Sequence, residues 1–113
     1  MRFPYHTAFA IGHHRPMPFF FARLVPKRKD FPANLTPDEG ATMQRHSAFL
    51  TGQLEKGALV VAGPVMDPSG VFGLAVIESE SIDAARELLG TDPANALGHY
   101  EVAPMGPAIV RAR

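Results

Sequence analysis

The chain is 113 residues long, 46% apolar and formally neutral, with 11 basic side chains balancing 11 acidic ones. That length holds one domain, and the balance leaves no electrostatic footprint for nucleic acid or an anionic membrane. Cysteine is absent, which removes disulfides, thiolate chemistry and zinc ribbons.

Residues 1–16, MRFPYHTAFAIGHHRP, follow neither a helical nor a strand period and read as a loose arm, with the compact domain spanning 17–113. The arm's longest apolar stretch, Ala8 to Ile11, is too short for the core of a secretory signal, and no run approaches the roughly 18 residues of a membrane span. No membrane association and a cytoplasmic location are therefore expected. From Phe19 to Val25 the chain is apolar on both sides of the pleat, a strand closed by Pro26. After the loop KRKDFPANL, Thr36-Pro37-Asp38-Glu39 spells a capping box with proline at the first helical position. That helix is expected to run to about Lys56 and stop at Gly57 in a left-handed conformation. Met43, His46, Leu50 and Leu54 lie on one stripe of it, and Gly52 inside it costs about 1 kcal/mol relative to alanine.

Ala58 to Val65 and Val71 to Glu78 read as two strands joined through the turn Asp67-Pro68-Ser69-Gly70. Ser81 caps a short helix carrying Ala84, Ala85, Leu88 and Leu89, and Gly90 closes it. Asp92-Pro93 opens a loop, His99 to Pro104 forms the last strand, and Ala108 to Val110 either adds an edge strand or trails free. The order β-α-β-β-α-β with right-handed crossovers predicts an α+β fold. Its antiparallel sheet would run in the order 4-1-3-2 with both helices on one face. Strands one and three are apolar on both faces, so the face without helices needs a cover. A twofold copy of the sheet is the economical one; the arm folding across it is the alternative.

His46 is the first candidate for chemistry. It sits amid an apolar stripe, where an imidazole needs a partner and is suited to act as a general base near neutral pH. The plainer reading is a core histidine satisfied by a backbone carbonyl. Asp92, taken alone, reads as a turn former or cap. Gly63-Pro64 places the second strand at an edge or a bulge. Lys27-Arg28-Lys29 would draw an anionic ligand, with Arg28 as a bidentate clamp, or simply face water. His6, His13 and His14 lack the acidic or thiol companions of a metal site, and no metal is expected. Gly-rich nucleotide loops and G-x-S-x-G are missing, so no cofactor is expected either.

Four segments together resemble the YciI-like (YCII-related) family: LVPKRKDFPANLTPDEGATMQRH, EKGALVVAGPVMDPSGVFGLAVIES, SIDAARELLGTDPA and GHYEVAPM. The resemblance covers Met17 to about Met105 and implies a ferredoxin-like fold that dimerises into an α/β barrel. It also implies a histidine–aspartate active site, which falls on His46 and Asp92, and similarity of one branch to a dehydrochlorinase of a chlorinated hydroxyquinone. Ala94 and Met43 stand where better-known members carry an aromatic residue and an arginine, a departure that bears on the substrate.

These readings combine into one expectation: a cofactor-independent homodimeric enzyme that moves a proton on a small anionic, cyclic or conjugated acid, of lyase, isomerase or dehydrochlorinase type. His46 would be the base, Asp92 its orienter and Arg28 the substrate clamp. The competing expectation is a non-catalytic ligand-binding or accessory dimer with His46 in the core. A carboxylate within about 3.2 Å of one ring nitrogen, with the other nitrogen facing a cavity, distinguishes the first from the second.

Overall fold

The computed structural model describes residues 17–112. The expected arm and its histidines lie outside the described residues. Strand β1 spans Phe19–Pro26, helix α1 Pro37–Glu55, strand β2 Leu59–Val65 and strand β3 Phe72–Glu78. Helix α2 follows at Ile82–Leu89, then a single 3-10 turn at Pro93–Ala96 and strand β4 at Gly98–Pro104. All strand pairs are antiparallel and the sheet order is β2-β3-β1-β4, the expected order read from its other edge. This α+β arrangement of four strands and two helices is compatible with a ferredoxin-like fold. Residues 108–110 form no strand, and among the described residues the sheet ends at β4.

Local chemistry accounts for the boundaries. The Glu39 amide donates to the Thr36 hydroxyl at 3.2 Å and the Thr36 amide to the Glu39 carboxylate at 3.0 Å, completing the capping box of α1. Gly57, at φ +84°, ends the helix in the left-handed conformation that glycine takes without steric cost. The Ser81 hydroxyl accepts from the Ala84 amide at 3.0 Å and starts α2. Gly90 closes that helix in right-handed conformation, at φ −64°.

Of the two alternatives for Gly63-Pro64 in β2, edge or bulge, the edge is the one met. β2 is the outermost strand, so Pro64 interrupts no ladder on its free side. The irregularity, however, lies between Leu59 and Val61, while Gly63 and Pro64 pair regularly with Leu74 and Gly73. A proline at an edge needs no bulge, since its missing donor faces away from the neighbouring strand.

Phe20, Ala22, Leu59, Ala75, Ile77, Ala85 and Leu89 form the core, with Leu50 of α1 packed against it. Alternate residues of each strand point the other way. Val61, Val76, Phe21 and Ala103 lie in one row across all four strands of that opposite face, with Phe19 beside Glu78 at one end. The next row holds Leu74, Arg23 and Glu101, and the Arg23 guanidinium lies 3.9 Å from the centre of the Phe72 ring. The face is therefore apolar but crossed by charge, less uniform than the sequence suggests. Leu54, at the end of the α1 stripe, is 52% exposed rather than in the core.

Gly98 of β4 sits tightly against the backbone of β1. A Cβ there would come within 3.0 Å of the Val25 carbonyl carbon and still nearer its oxygen, and both obstacles are backbone. Gly98→Ala is expected to lower stability by about 3 kcal/mol or more, as overpacking against main chain does. A thermal melt of the variant checks this.

Candidate functional site

His46 lies in the third turn of α1, on the side that faces the 3-10 turn and β4. Asp92 precedes that turn, and its placement is over-determined. Its amide donates to the Leu89 carbonyl at 3.1 Å, and the Asn95 side chain donates to the Leu89 and Asp92 carbonyls, both at 2.8 Å. The end of α2 and the start of the 3-10 turn are thus tied together, aiming the carboxylate at α1.

The contact that results spans 46 positions of sequence. His46 Nδ1 lies 2.8 Å from Asp92 Oδ2 and 3.0 Å from Oδ1. Tyr100 on β4 donates its hydroxyl to Oδ2 at 2.5 Å, and the Ala94 amide donates to Oδ1 at 2.9 Å. The carboxylate side chain is fully enclosed, and that of His46 is 11% exposed. Burial pushes the Asp92 carboxyl up. The hydrogen bonds from His46, Tyr100 and Ala94 outweigh it, and the net direction is below the ordinary aspartate value. Burial, and then the carboxylate beside it, hold the Tyr100 phenol far above its usual range, so it remains a donor.

An ionised carboxylate only accepts, so Nδ1 carries the proton of the neutral imidazole and Nε2 keeps its lone pair. Among the described residues Nε2 has no hydrogen-bond partner, whereas every fully buried side-chain nitrogen or oxygen has one. Nε2 is therefore reachable from outside, and His46 lines a cavity of about 610 Å³ between α1 and the sheet.

Small strand residues make the space. Ala62, Gly63, Gly73 and Ala75 lie below the helix, and none fills the gap left by the Met43, Leu50 and Leu54 side chains above. Ala75, Ala94 and Leu59 are buried lining residues, while Thr51, Leu54 and Pro64 are exposed ones at the rim. Leu54 is eight residues beyond His46, about 12 Å along the helix axis.

Arg28 is not among the lining residues. Its guanidinium donates to the Glu39 carboxylate at 2.7 Å and to the Asn34 carbonyl at 2.8 Å, so it braces the loop against the start of α1. The clamp expected of it is occupied by the protein's own carboxylate. Tyr100 is the member of the site that sequence reasoning missed. Its signal was the strand period, which puts it on the same side as Val102 and leaves a phenol in need of a partner. Among the described residues no group of three His, Cys, Asp or Glu is arranged to hold a metal, and no helix is long and apolar enough to cross a membrane.

The family model of the YCII-related domain matches residues 19–108, from the first residue of β1 to just past β4. The chain belongs to the YCII-related family. Among curated proteins none matches the chain. The His46–Asp92–Tyr100 cluster thus lies entirely within the YCII-related domain, with members drawn from α1, the 3-10 turn and β4.

Proposed function

We propose that this YCII-related domain catalyses proton transfer on a small molecule without a cofactor, with His46 as general base. The observation that carries the reading is a histidine in the wall of an apolar cavity, with one ring nitrogen held by an enclosed carboxylate and the other without a partner among the described residues. Asp92 fixes the tautomer that leaves Nε2 ready to accept, and it faces the imidazolium once a proton arrives. Tyr100 and the Ala94 amide hold Asp92 in place, so the pair meets its substrate with little reorganisation. The proton taken by Nε2 is returned to a different atom of the substrate or to a leaving group, which covers isomerase and lyase chemistry alike.

The domain is proposed to work as a homodimer formed through the face of the sheet that bears no helix. Support comes from the row Val61–Val76–Phe21–Ala103, in which Val61 is half exposed in the single chain.

Deuterium uptake at the acidic carbon of 2-tetralone, an uncharged cyclic ketone, tests the catalytic reading. The expected result is uptake about 100-fold faster than with an equal concentration of imidazole, reverting to that background in His46→Asn. Equal uptake by the wild type and His46→Asn would remove His46 from the mechanism. Uptake by neither above background would favour a binding protein.

A further inference from the structure

The charge of the cavity wall points to the kind of molecule it takes. Among the described residues two dozen line the cavity, and none of these is Lys, Arg, Asp or Glu. Its polar side chains are the His46 ring, the Ser47 and Thr51 hydroxyls and Tyr100, whose own hydroxyl is spent on Asp92. Two nearby guanidinium groups are otherwise engaged: Arg28 with Glu39 and Asn34, Arg45 with the Thr42 hydroxyl at 3.0 Å. Directly behind His46 stands the enclosed Asp92 carboxylate, which gives the inner end of the cavity one negative charge before any ligand enters.

A carboxylate or phosphate entering this space would shed its water, find no cation among the described lining residues and face a second negative charge. An uncharged molecule meets none of these costs and gains from the aliphatic wall. The free lone pair of Nε2 in turn requires a donor. A weak acid that is still protonated in neutral water satisfies it, and passing the proton to Nε2 leaves the total charge of the site unchanged.

We infer that the cavity binds an uncharged, largely apolar molecule of one or two rings bearing a single O–H or acidic C–H, and that it discriminates against carboxylates. The inference rests on reading this cavity as the place where His46 meets its substrate. A volume of about 610 Å³ falls within the range of small-molecule sites.

Two probes of nearly equal shape test it: 2-naphthol, uncharged near neutral pH, and 2-naphthoate, an anion there. Their binding to the full chain, followed by calorimetry, is expected to favour the naphthol by about 30-fold or more. Leu54→Lys, which places an ammonium at the exposed rim, is expected to narrow that preference by about tenfold. Naphthoate binding as tightly as naphthol in the wild type would overturn the inference, as would an unchanged preference in Leu54→Lys. Preference for naphthol without catalysed uptake into 2-tetralone would leave the ligand class standing and remove only the proton-transfer reading.

Discussion

Asp92→Ala is expected to lower the stability of the domain by about 3–5 kcal/mol, since each buried donor left without its acceptor costs about 1–3 kcal/mol. Three donors lose their acceptor at once: the His46 Nδ1–H, the Tyr100 hydroxyl and the Ala94 amide. Water has no easy route to replace it, since both Asp92 and Ala94 are buried. Asp92→Asn keeps the shape and is expected to cost less, about 1–2 kcal/mol, because the amide oxygen still accepts. Its amide nitrogen, however, donates to Nδ1 and moves the histidine proton to Nε2, so the lone pair in the cavity disappears. Urea denaturation at neutral pH measures both costs.

The same residue sets a dependence on acid. The Asp92 carboxyl lies below its ordinary value in the folded protein, so its stabilising contribution is complete above the unfolded value of about 3.9. That contribution is lost as pH falls through the lower, folded value. Stability of the wild type is therefore expected to decline below about pH 4 more steeply than that of Asp92→Asn.

Val76→Asp is expected to weaken the proposed homodimer by about 100-fold or more in dissociation constant. Val76 lies at the middle of the face without helices, between Phe21 on β1 and Val61 on β2. Pairing two such faces would bury its side chain, and a carboxylate there would be desolvated once in each copy. In the single chain Val76 is only partly buried, so the variant should fold with a near-native circular dichroism spectrum. Sedimentation equilibrium is expected to give twice the chain mass for the wild type and one chain mass for Val76→Asp at micromolar concentration. A monomeric wild type would defeat the dimer, and the face would then need another cover.

Where structure follows from neighbours in the sequence, it was legible. The capping box at Thr36, the left-handed Gly57, the cap at Ser81 and the short apolar runs of the strands each express a local rule, and chain connectivity then leaves few sheet orders. His46 could be read from its stripe because a histidine among Met43, Leu50 and Leu54 is out of keeping with its surroundings. Its partner could not. Asp92 looks like any aspartate before a proline, and it does cap its turn through Ala94; the family resemblance alone marked it as more. No local pattern reports a contact across 46 residues.

Arg28 shows a different limit of a local reading. A basic cluster near a candidate site suggests an anion clamp, yet Glu39 sits 11 residues further on with a carboxylate to offer. An internal partner that costs no binding entropy takes the guanidinium first. The one-turn 3-10 helix at Pro93–Ala96 was likewise hidden, because four residues are too few to establish a period.

Heteronuclear NMR of the His46 imidazole, with the ring nitrogens labelled, probes the protonation state on which the proposed chemistry depends. Near neutral pH the neutral ring is expected to carry its proton on Nδ1, with Nε2 bare, and Asp92→Asn is expected to reverse the two. A wild-type ring with its proton on Nε2 would leave no lone pair for a substrate, and His46 would not be the base.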